Sequence, residues 1–274
     1  MIQSAIVMLW AAPAAGHDLW LQADAFRLEQ GDTLVVRQLV GSASRPDRVR
    51  ELPVLRDLTS RFTLISKSRK LDLLKQEGPG LSTKPALARE VDFQGPALVA
   101  MEHALIYTEH TYEEFLDYLD HEGLPREEYE PRLKSGTVQT EAYGRSLKLL
   151  VHSGPSETKE PTVHRQPVGQ PLEIVLKRSP YELDPGDHLD VQLLFRGEPL
   201  PGRILTAYGI GGDGPAGVHR ERTNADGVAR FQLDRAGRWL LRLVHLVPCS
   251  AASQADCADA AWVGHWAAYS FELD

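Results

Sequence analysis

TNADGVARFQLDRAGRWLLRLVHLVP, residues 223–248, decides the fold class. NADG at 224–227 and RAG at 235–237 supply turn residues, glycine among them for positive φ. Between and after them, VARFQL and RWLLRLVHLV are short apolar runs, too short for long helices and well suited to strands. In the second run, alternation from Trp239 puts Trp239, Leu241, Leu243 and His245 on one face. Leu240, Arg242, Val244 and Leu246 fall on the other. Working outward, LEIVLKR (172–178), HLDVQLLF (188–195), RILTAYGI (203–210) and HWAAYSFEL (265–273) repeat the pattern. DPGD (184–187) and RGEPLPG (196–202) break it, at the spacing of an antiparallel sandwich.

The first half reads as strands at DLWLQ (18–22), TLVVRQLV (33–40), RFTLIS (61–66) and ALVAMEH (97–103), with an exposed, arginine-rich loop over 42–57. Thr111 and Glu114 form a capping box, and Tyr112, Phe115, Leu116 and Leu119 line one helical face that Gly123 and Pro125 end. A second helix is expected over 137–150. The nine carboxylates of 109–130 read as a solvated helix face, with an acidic docking surface as the alternative. Residues 153–170, dense in Pro, Ser, Thr and Gly, read as a linker. The expected architecture is mainly β, with two β-sandwich-like domains. The first, 17–152, carries a helical insertion near 111–150; the second, 171–274, is immunoglobulin-like or transthyretin-like.

Thirty basic against 38 acidic residues in 274 give a net charge of −8, which argues against nucleic-acid binding. Residues 2–15 carry no charge and are too short to span a bilayer, so residues 1–16 read as a signal peptide cleaved after Gly16. No later segment is apolar enough to cross a membrane. The mature protein is expected in the periplasm or secreted, with His17 at its N-terminus. In that compartment Cys249 and Cys257, with seven residues between them, are expected to pair. The alternative uses His245, Cys249, Cys257 and His265 as zinc ligands.

Conventional catalytic signatures are missing: no Gly-x-Ser-x-Gly, no His-Glu-x-x-His, no phosphate-binding Gly-x-x-x-x-Gly-Lys. Gly209, Gly211 and Gly214 match Gly-x-Gly-x-x-Gly but lead into Pro215 and another strand, so they read as a loop. An enzyme is not expected. Ten histidines remain. A free α-amine on His17, one residue from its imidazole, forms a chelate for Ni²⁺, Co²⁺ or Cu²⁺. His245 is its expected partner, with His103 and His265 as further ligands. An ion shared by His17 and His245 requires their nitrogens within about 4 Å.

HDLWLQ (17–22), TLVVRQLVG (33–41), EEFLDYLDHEGL (113–124), EAYGRSLKLLVHSG (141–154) and GQPLEIV (169–175) resemble NikM-like exported proteins. So do FRGEPLPG (195–202), TNADGVARFQL (223–233), AGRWLLRLVHLVP (236–248) and AAWVGHWAAYSFEL (260–273). The resemblance implies a β-rich protein associated with nickel or cobalt uptake, with a membrane metal transporter as partner. Two other classes compete with it. One is a structural or adhesive sandwich without metal; the other is a copper oxygenase built on the N-terminal histidine chelate.

Overall fold

The computed structural model describes residues 18–76, 82–155, 163–210, 216–249, 257 and 260–274. The signal segment and His17 therefore lie outside the described residues. The first half contains β1 (Asp18–Ala23), β2 (Arg27–Leu28), β3 (Thr33–Ser42), β4 (Arg45–Leu52), β5 (Val54–Leu55), β6 (Thr59–Ile65) and β7 (Lys70–Asp72). Helix α1 (Leu73–Gln76), β8 (Ser82–Thr83), β9 (Leu87–Glu90), β10 (Gly95–His103), β11 (Ile106–His110), α2 (Tyr112–Glu122), α3 (Arg126–Tyr129) and β12 (Gln139–Ser153) follow. The second half contributes β13 (Leu172–Leu176), β14 (His188–Phe195), β15 (Glu198–Pro199) and β16 (Ile204–Ile210). It continues with β17 (Gly217–Arg222), β18 (Val228–Gln232), β19 (Gly237–Pro248) and β20 (Trp262–Leu273). The fold is mainly β, as expected.

A ten-stranded sheet forms the middle layer, in the order β17-β16-β19-β20-β12-β10-β6-β7, with β11 and β2 also paired to β12. The strands expected in separate domains thus share one sheet. They meet where β12 and β20 run parallel, from Glu141 opposite Trp262 to Leu149 opposite Ser270. A parallel pair needs a long crossover, and the chain between residues 153 and 262 provides it. One face of this sheet is covered by β1, β3, β4 and β9, burying Leu21, Leu34 and Val36 against Met101, Leu149 and Leu240. The other face is covered by β13, β14, β15 and β18, burying Ile174, Val191 and Phe231 against Leu150, Leu241 and Tyr269. Helix α2 closes the first face with Phe115, Tyr118 and Leu119 against Val244, Leu246 and Trp262.

Local chemistry explains the turns. Asn224 Oδ1 accepts from the Asp226 and Val228 amides, and Gly227 takes φ +71° where a Cβ would fall 2.8 Å from the Leu193 carbonyl oxygen. The capping box of α2 forms as read: Thr111 Oγ1 accepts from the Glu114 amide at 3.2 Å and Glu114 returns the bond at 2.8 Å. Gly123 ends the helix in the left-handed region.

Two expectations are corrected. Residues 137–150 are not a helix; from Gln139 they form the long strand β12. Both faces of β12 are covered, so Leu147 and Leu149 enter one core and Leu150 the other. Burial on both sides erases the two-residue alternation and leaves a spacing that imitates a helix. Residues 42–57 are not simply an exposed loop, because β4 pairs with β3 and Val49 and Leu52 pack on the core below. Within 153–170, the end nearest β13 is fixed to the sheet. Glu173 accepts from the amides of Val168, Gly169 and Gln170 and pairs with Lys148 Nζ at 2.6 Å, both side chains fully buried. Gln170 Nε2 donates to the Met101 and Leu147 carbonyls. Among the described residues no helix is long and apolar enough to cross a membrane.

Candidate functional site

The ribbon β19–β20 pairs residue for residue from Gly237 opposite Leu273 to Pro248 opposite Trp262. Its two faces carry different chemistry. Facing β1 and α2, Arg242 lies in an otherwise apolar row with Leu240, Val244 and Leu246. Its Nε is 2.6 Å from Asp18 Oδ1, and a second guanidinium nitrogen binds Glu122 Oε2. All three side chains are buried. Asp18 also accepts from the Ala43 amide at 3.1 Å, which fixes the beginning of β1. Burial alone would pull the Arg242 pKa down; the charges of Glu122 and Asp18 outweigh it and hold the guanidinium above its ordinary range. Burial has the upper hand at Glu122, whose pKa is raised despite Arg242.

Glu122 ends α2 with one carboxylate oxygen engaged. The other, Oε1, has no hydrogen-bond partner among the described residues, and His121 Nε2 lies 3.9 Å from it. Trp266 stands beside this cluster, its ring 5.8 Å from the Arg242 guanidinium carbon and stacked on Tyr118 at 5.9 Å. Tyr118 donates to the buried Glu141 at 3.2 Å, and His110 Nε2 is 3.4 Å from the other Glu141 oxygen. Glycine is required opposite them: a Cβ on Gly264 would come within 1.8 Å of Glu141 Oε1.

On the reverse face, His245 and His265 are register partners. Phe195 packs edge-on against both imidazoles, with centroids 4.6 and 5.0 Å away. Burial, then the positive charge of Arg203 and the neighbouring His265, push the His245 pKa down to about 3. Its Nδ1 has no hydrogen-bond partner among the described residues. His103 is elsewhere: its Nε2 donates to Gln38 Oε1 at 2.8 Å, toward the β1 side of the sheet, and burial with nearby Arg145 lowers its pKa to about 4.

The structure therefore sets His245 beside His265 and ties the His103 ring to Gln38, although His103 and His265 both line one cleft. Asp18, the residue after His17, sits on the face opposite His245. Among the described residues no three His, Cys, Asp or Glu side chains gather as a metal site. Cys249 and Cys257 are joined by a disulfide, with Cα atoms 6.0 Å apart, so neither offers a thiolate. Sequence reasoning missed Asp18, Glu122, Glu141 and Arg242. Arg242 did carry a signal, because a lone charge in RWLLRLVHLV must find a counter-charge once buried.

A cleft of about 550 Å³ opens beside His265, at the ends of β10 and β12 and the start of β20. Glu102, Ser146, Gln170, Arg196 and Val263 are among the residues lining it. The Lys148–Glu173 pair sets one wall by holding residues 168–170 in place.

A family model described as a domain of unknown function, DUF4198, matches residues 14–247. The chain belongs to the DUF4198 family. No curated protein matches it. Among solved structures, the D0–D1 domain of Intimin aligns at 11% identity with a TM-score of 0.21, covering 92% of this chain and 96% of that one. The D00–D0 domain of Intimin aligns at 11% identity with a TM-score of 0.19, over 94% and 100%. Superpositions that loose carry no argument about the fold or function of this DUF4198 chain.

Proposed function

We propose that the protein is an exported, non-enzymatic metal-binding accessory of nickel or cobalt uptake, acting in the periplasm and handing its ion to a membrane transporter. The ion is held at the start of the mature chain by the α-amine and imidazole of His17, with His121 and Glu122 completing the donor set. One observation carries this reading. His121 Nε2 lies 3.9 Å from Glu122 Oε1, an oxygen with no hydrogen-bond partner among the described residues, and this is the separation that two bonds of about 2 Å to one ion produce. Glu122 shares Arg242 with Asp18, and Asp18 is one peptide unit, about 3.8 Å between Cα atoms, from His17. Nitrogen donors with a carboxylate suit a late divalent metal. The resemblance to NikM-like proteins in the motifs quoted above narrows the metal to nickel or cobalt. His245 and His103 are not in this donor set.

The test uses the chain expressed with its leader and exported, its N-terminus read by mass spectrometry and its affinity for Ni²⁺ and Co²⁺ measured by calorimetry. About one equivalent should bind, and His17→Ala or His121→Ala should each weaken it at least about tenfold, the scale seen when the shell of a metal site is disturbed. A metal-free protein, an affinity indifferent to both variants, or a mature chain beginning elsewhere than His17 overturns the reading. The first of these outcomes favours the structural or adhesive alternative.

A further inference from the structure

The arginine-rich stretch 42–57 begins with the hairpin that joins β3 to β4, and its arginines take no part in the proposed metal site. Arg45, Arg48 and Arg50 are all exposed. No described carboxylate lies within ion-pair distance of any of them. Three arginines and the single Asp47 give residues 45–50 a net charge of +2, in a chain of −8. The next carboxylate, Glu51, is already engaged by Arg37 at 3.0 Å and Lys84 at 3.9 Å. Like charges held this close repel one another, and an anionic surface brought against them relieves that repulsion.

The hairpin is fixed to the start of β1. Asp18 accepts from the Ala43 amide in the turn at 3.1 Å and stands opposite Gly41 across the sheet. A Cβ on Gly41 would fall 2.5 Å from the Arg48 carbonyl oxygen, so glycine lets β4 close in there. Two strand spacings of about 4.8 Å put the Arg48 backbone about 10 Å from Asp18, beside the end of the chain that carries His17. Two features say what the patch fits. Strand β4 ends its sheet, but it is bulged: Val40 pairs with Arg50 and Ser42 with Arg45, two steps along β3 against five along β4. A bulged edge is a poor ladder for an added peptide strand. Among the described residues the exposed large apolar side chains, Leu105, Tyr107, Val138 and Val218, lie elsewhere, so the patch lacks the apolar centre of a protein interface. Guanidinium forks without apolar neighbours match phosphate oxygens.

We propose that the β3–β4 hairpin docks the protein on an anionic phospholipid surface through Arg45, Arg48 and Arg50, so that the start of β1 faces the bilayer. The value of that orientation, an ion held where a membrane transporter can take it, rests on the proposed role of His17. The lipid binding itself does not, since no metal enters it.

The experiment is co-sedimentation of the whole mature protein, freed of metal with EDTA, with two kinds of vesicle. One is phosphatidylcholine alone; the other is phosphatidylcholine and phosphatidylglycerol at about 2:1. In low salt the protein should bind the anionic vesicles only, and about 0.5 M NaCl should release it by screening. Each arginine near the surface is worth about fivefold. Arg48→Ala should therefore weaken binding by about fivefold, its combination with Arg45→Ala and Arg50→Ala by about a hundredfold, and Asp47→Asn should strengthen it by about fivefold. All should keep the parent melting temperature, because these side chains are exposed and unpaired. Arg220→Ala removes an exposed arginine from β17, the far edge of the large sheet, and should leave binding within about a factor of two. No binding to the anionic vesicles, an unaffected triple variant, or an equal loss with Arg220→Ala overturns the proposal. Binding to poly-L-glutamate without binding to vesicles marks an acidic protein partner and also overturns it. Docking without Ni²⁺ affinity in the parent breaks only the metal reading, and affinity without docking breaks only this inference.

Discussion

The two faces of the β19–β20 ribbon bury polar side chains by opposite means. On one, Arg242 keeps its charge because Asp18 and Glu122 are brought to it from the first strand and the helix end. On the other, His245 and His265 sit under Phe195, and His245 is held neutral by burial, with Arg203 adding to the effect. Pairing makes a buried charge depend on its partners. Neutralisation makes a buried base depend on pH. Each face therefore fails under a different perturbation, and the difference can be measured.

The largest effect belongs to the paired face. Arg242→Met keeps the length and apolar character of the side chain but leaves two buried carboxylates without a counter-charge. The expected loss is about 3–5 kcal/mol, read from the midpoint of denaturant unfolding. Adding Asp18→Asn and Glu122→Gln should restore a large part of it, since the remaining groups are then uncharged. A loss below about 1 kcal/mol, the scale of an exposed ion pair, would mean that water reaches the cluster and that the faces do not differ in kind.

The neutral face gives the next effect, and its sign follows from linkage. His245 is held near 3 when folded, against about 6.5 in an unfolded chain. Between those values the unfolded state binds a proton that the folded state refuses. Its contribution is therefore complete above pH 6.5 and is lost as the pH falls toward 3, about 2 kcal/mol by pH 5. His103, held near 4, acts in the same direction. Glu102 and Glu122, whose pKa values are raised, act in the opposite direction, in a window that opens upward from the ordinary glutamate value. His245→Leu should flatten the loss of stability between pH 7 and pH 5. An unchanged slope would show that His245 takes up its proton in the folded state.

How much of this was legible in the sequence depended on how many neighbours an element has. Strands with one apolar face, such as β14, and the capped helix α2 announce themselves in their own residues. Strand β12 does not, because its partners β10 and β20 come from distant parts of the chain and both its faces are covered. The candidate site was legible in its histidines but not in its grouping. His245 and His265 meet through register, which depends on pairing over a loop that also holds the disulfide. Glu122 was hidden in a run of nine carboxylates that are otherwise helix surface. Only the fold selects the one that turns inward to Arg242, although the lone arginine in an apolar strand already required such a partner.

The smallest effect separates the two ends of the helix that serves the paired face. Thr111 caps α2 at the end remote from Arg242, and Thr111→Ala removes the bond its hydroxyl accepts from the Glu114 amide. The cost should be about 1 kcal/mol, the usual worth of an N-cap, measured as a shift in the unfolding midpoint. The other end of the helix is held independently. Gly123 closes it in the left-handed conformation, its amide donating to the Leu119 and Asp120 carbonyls, and Glu122 is bound to Arg242. Fraying at the first turn should therefore leave His121 and Glu122 where they are, and the affinity for Ni²⁺ should stay within a factor of about two of the parent, since energies at separated sites add to within a few tenths of a kcal/mol. A Thr111→Ala protein that loses nickel affinity in proportion to its stability would mean that α2 moves as one body and that Arg242 does not anchor its end. The paired face would then be held by the helix rather than by the charge at its centre.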